Sequence, residues 1–464
     1  MNQLIRQKPT WIVLALLAHA ALFYSRVHTS WLFADDFLNV QLSRQNGFTL
    51  RFLLQDVFGQ VAPGYRVVQL VFDDLFGPSF AWAMVIIGIL SVSCTYALIR
   101  ISDALGARPW AIATGVILFI GLPQFTHLQQ WWAAAVHTIF SFTFIMWALV
   151  LATTARRDRA IWMALLYACA LTFTAKTVCA PAIIAAVVYL RQRRDGVLPK
   201  TAILATATEL IPIFILTALY LAIVKWIGPA SYPPRPSPHD LWKFVRIMVS
   251  DTTVGATFGV GKALGLRAPA WITVVAMVVL ATTAIRRNKD LGALWIAVLV
   301  YVSVAAILIG LNRAVAIPDL AKALRYAAEG AAFLVLAIIL SLSALPSTAM
   351  MRVGSIAIAV LAAINVQMHR AEATAYPWAQ QVKEYVHNLE VTSHELERQP
   401  GVYVLEAHVP PVIMLEWMGE YTLVSKFLPI YSSLPVAGAD KANYELTQDG
   451  RIIPLAHPPS AGSH

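Results

Sequence analysis

Ser30-Trp31-Leu32-Phe33-Ala34-Asp35-Asp36-Phe37-Leu38 sets two adjacent carboxylates in an apolar, aromatic stretch just beyond the first hydrophobic segment of the chain. Acidic pairs are ordinary in solvated loops, so the surroundings decide what this one means. Trp11 to Tyr24 reads as a membrane span, and Phe48 to Phe58 reads as an amphipathic stretch suited to the plane of an interface. The pair is therefore expected at a membrane surface. There a low dielectric raises a carboxylate pKa, and two like charges cannot both ionise cheaply. Almost everything after it reads as membrane scaffold.

Composition agrees. Of 464 residues, 58% are hydrophobic and 13% charged, and the mean hydropathy of +0.65 excludes an ordinary soluble domain. The net charge of +10 does not point to nucleic acid, because the basic residues fall in short clusters between apolar runs, as the positive-inside rule distributes them. Cys94, Cys169 and Cys179 lie in apolar segments without metal-ligand or disulfide-framework spacing, and read as small packing residues. Ala18-His19-Ala20 could pass for a signal-peptidase site, but the apolar run continues through Tyr24, which favours a retained first helix.

The apolar runs predict about eleven transmembrane helices, near 10–27, 79–99, 108–123, 132–153, 160–175, 177–191, 201–227, 268–285, 290–311, 329–346 and 352–367. Several are shorter than the ~20 residues of a perpendicular crossing. If the spans alternate, Arg6 and Lys8, Arg100 and Arg108, Arg156 to Arg159, Arg191 to Arg194, Arg286 to Lys289, and Arg352 all fall on one side. That side is cytoplasmic. The loop 28–78 with its acidic pair, the segments 228–267 and 312–328, and the C-terminal region are then external, in a multispan protein of the cell membrane.

After about residue 368 the pattern changes. Pro377 to Arg398 alternates at helical spacing, Val402-Tyr403-Val404-Leu405 reads as a strand, and Gln448 to Arg451 as a turn leading into Ile452-Ile453. The expected division is an all-α membrane domain over 1–367, a small external α/β domain over 368–456, and a disordered tail over 457–464.

The acidic pair after a first span resembles the GT-C type of membrane glycosyltransferases, which use polyprenyl-phosphate sugars, and in particular the protein O-mannosyltransferases and their relatives. Four further segments carry the resemblance in the right order. Pro63-Gly64-Tyr65-Arg66-Val67-Val68 resembles an aromatic and arginine segment leading into a helix, and Arg66 could meet the acidic loop or a phosphate. Leu122 to Trp132 resembles a Pro and His segment with Pro123 and His127, but has Gln129 and Gln130 where the family usually has a carboxylate; His127 is a candidate for binding the donor, with an interfacial belt beside Trp131 and Trp132 as the alternative. Thr174-Ala175-Lys176-Thr177 resembles a Lys-Glu segment with Thr177 in place of the acid. Lys176 stands as a lone cation in an apolar external turn, which suits a lipid phosphate or a headgroup. Lys322 to Gly330 resembles an Arg-Tyr motif. In it Arg325 offers a fork of donors for phosphate and Tyr326 a hydroxyl or a face for a sugar; Arg313 is a weaker candidate. His137, alone on an apolar helix, reads as a core group. The second pair, Asp73-Asp74, reads as an acidic helix-end flank.

The resemblance implies an inverting enzyme, transferring a hexose or pentose from a polyprenyl-phosphate donor to an acceptor hydroxyl on a glycan, lipid or protein. Asp35 would be the base, Asp36 its partner or the base itself, and Lys176 and Arg325 would hold the leaving phosphate. No prosthetic group is expected, and no ligand set for a divalent metal beyond the acidic pair is seen. A lipid-linked-sugar flippase would also need many helices and phosphate-binding cations, but charges here collect at span ends rather than near the midplane. An inactive membrane partner is the third reading.

Overall fold

The structure is a computed structural model, which describes residues 9–57, 60–227, 235–259, 270–315, 317–346, 348–368 and 377–456. The expected tail 457–464 lies outside them. The chain is mostly helical, and helices occur at each of the eleven apolar runs.

The N-terminal part contains α1 (Pro9–Val27), α2 (Asp35–Asn46), the short hairpin β1 (Asp56–Val57) and β2 (Gln60–Val61), α3 (Pro63–Phe76) and α4 (Phe80–Ala104). Helix α1 is tied into the bundle by its polar residues. The His19 ring nitrogen Nδ1 meets the Thr95 hydroxyl of α4 at 2.7 Å. Arg26, 1% exposed, donates to the Ile120 carbonyl at 3.0 Å. The carboxylates of Asp35 and Asp36 occupy the first turn of α2, where the helix dipole favours negative charge. Gly47, at φ +56, ends the helix in a conformation that suits glycine. The expected amphipathic stretch over Phe48 to Phe58 is corrected: of its described residues, 48–57, only Leu50–Leu53 is helical, because Asp56–Val57 turns to pair with Gln60–Val61.

Next come α5 (Pro109–Ile120), α6 (Pro123–Gln130), α7 (Trp132–Ala152), α8 (Arg159–Leu171), α9 (Ala180–Arg194), α10 (Pro199–Glu209) and α11 (Ile211–Ile227). Two pairs are bent. Helices α5 and α6 meet at 47°, as do α10 and α11. Pro123 opens α6, where its fixed φ suits a first helical position and its missing N–H cannot continue the ladder from α5. Residues Val136–Phe140 within α7 form a π-helical turn, a feature that accompanies functional sites.

The remainder of the bundle comprises α12 (Pro238–Arg246), α13 (Ala270–Arg287), α14 (Leu291–Arg313), α15 (Ala328–Ala344) and α16 (Ala349–Met368). Helix α15 is buried along nearly its whole length, whereas α13 presents Val275, Val278 and Val279 outward. That contrast suits a central helix and a lipid-facing one.

Among the described residues six helices are long and apolar enough to cross a membrane: α1, α4, α7, α13, α14, and α15 taken with the 3-10 turn that precedes it from Leu324. The count reaches eight if each bent pair is one span. These helices make the chain an integral membrane protein. The expected count of eleven is not reached, since α8 with 13 residues, α9 with 15 and the apolar run Ala349–Ile364 fall short of a perpendicular crossing.

The C-terminal region holds α17 (Pro377–Leu396) and a four-stranded sheet of β3 (Val404–Leu405), β4 (Val436–Ala437), β5 (Tyr444–Leu446) and β6 (Ile452–Pro454), in the order β4-β3-β5-β6. Strand β3 runs parallel to β4 and β5, and β5 and β6 form an antiparallel pair. The turn between them carries Gly450 at φ +88, where a Cβ would strike the Tyr385 backbone. This region docks on α2. The Phe37 ring packs edge-on against Phe427 at 5.3 Å, and Arg44 donates to the Pro429 carbonyl at 3.0 Å while pairing with Asp73 at 3.1 Å. Asp73 is therefore an ion-pair partner rather than a mere helix-end flank.

Candidate active site

The acidic pair divides its labour. Asp36 is 2% exposed. Its carboxylate accepts hydrogen bonds from the backbone N–H of Phe33 at 2.8 Å and of Ala133 at 2.7 Å, clamping the loop before α2 to the start of α7. Asp35, one residue earlier, faces a cavity of about 430 Å³. Between loop and helix stands Ala34 at φ +33, the one non-glycine residue with positive φ among the described residues. Conformations of this kind cost of order 1–3 kcal/mol and persist where surrounding contacts over-determine them; the Asp36 clamp on both sides of the loop is such a contact.

A second layer fixes α2 against α3. The Asn39 amide donates to the Asp35 carbonyl and to the Tyr65 hydroxyl, both at 2.5 Å. Arg66 donates to the Asn39 amide oxygen at 3.4 Å and lies 4.5 Å from the Phe52 ring centroid. Arg66 is 4% exposed and is not on the cavity wall. The expected meeting of Arg66 with the acidic loop thus takes place through Asn39.

The opposite wall comes from distant parts of the chain. Lys176, in the 3-10 turn Ala175–Cys179, and Arg325 and Tyr326, just before α15, line the same cavity as Asp35. Gln60 of the hairpin holds the lysine turn, accepting from the Ala175 N–H at 2.9 Å and the Thr174 hydroxyl at 3.3 Å. The Arg325 guanidinium lies 4.9 Å from the ring centroids of both Trp131 and Tyr326, an arrangement that aims an arginine with little loss of charge. Arg313 and Asn312, at the end of α14, complete this wall. His127 sits on α6, away from the cavity lining, though near enough to Arg325 to feel its charge.

Lys176 is not the lone cation its sequence context suggests. Its ammonium pairs with Glu329 at 2.7 Å, a residue of α15 within the Arg-Tyr segment to which the sequence alone attached no role. The carboxylate beside Lys176 comes from a helix 153 positions on rather than from position 177, and Thr177 itself meets the Ser141 hydroxyl at 2.7 Å. His137, read as a core group, is on the cavity wall. Its Nδ1–H donates to the Phe173 carbonyl at 2.8 Å, and its ring stacks on Tyr65 with centroids 3.8 Å apart. In sequence a single histidine on an apolar helix carries no signal of this; the π-turn of α7 and the stacking on Tyr65 show it only in the structure. Trp417 of the C-terminal region reaches the cavity rim.

Burial pushes the Asp35 carboxyl up to about 6, although the nearby Arg325 and Arg313 pull the other way. Burial pushes Asp36 up to about 8, against the two backbone N–H groups that favour its charged form. The cavity therefore holds an accessible carboxylate poised near neutrality, among cations that can receive an anion. Among the described residues no group of three or more His, Cys, Asp or Glu is placed to hold a metal ion.

No protein-family model and no curated protein matches the sequence. Solved structures do: the crystal structure of ArnT from Cupriavidus metallidurans bound to undecaprenyl phosphate superposes with a TM-score of 0.55 at 13% identity, over 93% of this chain and 86% of ArnT. The match is to ArnT, and the narrower likeness to protein O-mannosyltransferases is not carried by it. Helical architecture, small C-terminal sheet and superposition over nearly the whole chain lead to one conclusion about family of fold: the chain has a GT-C-type fold.

Proposed function

We propose that this protein is an inverting glycosyltransferase that moves a sugar from a polyprenyl-phosphate donor to an acceptor hydroxyl at the external face of the membrane. The observation that carries the reading is the convergence of Asp35, Lys176, Arg325 and Tyr326 on one cavity, although they lie up to about 290 residues apart in sequence. ArnT, with its bound undecaprenyl phosphate, supports a lipid-phosphate partner. The Lys and Arg clusters between spans support an external site, with the C-terminal region 368–456 on the same side.

In the proposed reaction Asp35 accepts the proton of the acceptor hydroxyl as its oxygen attacks the anomeric carbon. The bond from that carbon to the phosphate oxygen breaks, and the lipid phosphate departs with the electron pair. Arg325 and Lys176 stabilise the charge that gathers on the departing oxygen. Tyr326 adds a hydroxyl and an aromatic face beside the sugar. Asp36 acts through the backbone, holding Asp35 at the cavity. A single displacement needs no glycosyl-enzyme intermediate.

The test is transfer by purified protein in lipid nanodiscs, with labelled sugar on a polyprenyl phosphate and a panel of glycan, lipid and peptide acceptors. Transfer from the lipid donor is expected. Transfer from a nucleotide sugar in the absence of any lipid donor overturns the reading.

A further inference from the structure

Glu329 has no part in the transfer just described, yet it is built into the site. It lies in the first turn of α15, where the helix dipole favours a carboxylate, and is 1% exposed. Its carboxylate accepts a 2.7 Å hydrogen bond from the Lys176 ammonium, itself 8% exposed. Of the two only Lys176 reaches the cavity wall, so Glu329 stands behind it. Tyr301 and Cys179 also feel the Glu329 charge, and neither is a cation. Lys176 is thus the one countercharge of Glu329 among the described residues. Arg325, four residues before Glu329, differs: it rests on two aromatic rings and has no carboxylate at ion-pair distance among the described residues. Arg325 is thus ready for an anion, whereas Lys176 is already neutralised.

Breaking a buried pair by removing one partner is costly, because a charge is left without compensation. An anion that draws the ammonium away from Glu329 meets that cost, so the carboxylate sets a penalty on anion binding at Lys176. We propose that Glu329 is a positioning residue that competes with the donor phosphate for Lys176, and this rests on the glycosyl-transfer reading above. In the empty protein Glu329 holds the ammonium at the cavity wall. When the phosphate arrives, the ammonium passes its hydrogen bond from the carboxylate to a phosphate oxygen, and after transfer the carboxylate reclaims it and helps the lipid phosphate leave. Such competition weakens capture of donor and product alike and keeps the site from being held by its product.

The experiment measures binding of undecaprenyl phosphate to the full-length protein in nanodiscs, with inorganic phosphate as a second probe. Glu329→Gln keeps the shape and removes the competing charge. It binds undecaprenyl phosphate about tenfold more tightly than wild type, the low end for close charge pairs, and its multiple-turnover rate falls while the first turnover does not. Lys176→Met binds more weakly, and Lys176→Met/Glu329→Gln binds like Lys176→Met, because Glu329 acts only through Lys176. A merely structural pair predicts no gain in affinity from any variant. Glu329→Asp shortens the reach, tightens binding by a smaller factor, and decides the matter if the amide variant does not fold. Wild-type binding with no tightening in Glu329→Gln or Glu329→Asp overturns the inference and leaves the glycosyl-transfer reading standing. A wild-type protein that binds inorganic phosphate as well as the lipid, or binds neither, overturns the lipid-donor reading itself.

Discussion

If Asp35 removes the acceptor proton, turnover follows its ionisation. The carboxyl sits near 6 rather than at its ordinary value of 3.8, because burial penalises its charge more than Arg325 and Arg313 favour it. With a value of about 6, roughly one tenth of the molecules carry the carboxylate at pH 5 and roughly nine tenths at pH 7, so the rate rises about tenfold across that interval. Arg325 opposes the upward shift, so Arg325→Gln moves the limb to higher pH as well as lowering the rate. The folding consequence has a definite sign. The folded pKa lies above the unfolded one, so stability is greatest below 3.8 and declines as pH rises through about 6. Asp35→Asn removes this penalty and raises the melting temperature at pH 7 relative to pH 4, as expected where an active-site charge is kept at the expense of stability. The assay is single-turnover transfer from pre-bound donor between pH 4.5 and 8, in buffers of constant ionic strength, beside thermal unfolding of the same samples. A rate that is flat from pH 5 to 8 in wild type refutes the assignment, as does a limb that stays in place in Arg325→Gln.

Asp36→Ala leaves the Phe33 and Ala133 N–H groups without their acceptor, at about 1–3 kcal/mol for each unsatisfied donor; thermal unfolding reads the loss, and turnover falls with it. Arg325→Ala weakens undecaprenyl phosphate binding about 10- to 100-fold, the range for a lost hydrogen bond to a charged group, and lowers turnover as well, since a ground-state phosphate already carries its charge. A cysteine placed at Ser432 reacts with a membrane-impermeant reagent in intact cells, whereas one placed at Ala155 reacts only after permeabilisation; the reverse pattern overturns the orientation.

The bundle was legible because apolar runs and interrupting charge clusters are properties of short windows, and every run found a helix. The number of crossings was not. Hydropathy does not register a 47° bend at Pro123 or between α10 and α11, and it counts a 13-residue apolar helix such as α8 as readily as a complete span. In the site, Asp35 and Lys176 could be picked out as charged residues in apolar settings, and Arg325 and Tyr326 through the resemblance of their segment to an Arg-Tyr motif. Their partners could not. Glu329 meets Lys176 across 153 positions, and the Ala133 N–H meets Asp36 across 97. The second is a backbone contact, to which side-chain identity is blind. His137 looked like core because a single histidine on an apolar helix carries no periodicity. Only the hairpin, the lysine turn and Tyr65 brought together in space put it on the cavity wall.

The most direct test of the account is donor binding and transfer measured together in Asp35→Asn. The amide keeps the shape of the side chain and loses its basicity. The account predicts undecaprenyl phosphate affinity close to wild type and transfer lower by roughly 10²- to 10⁴-fold, the scale of general base catalysis. Folded Asp35→Asn protein that transfers sugar at the wild-type rate contradicts it.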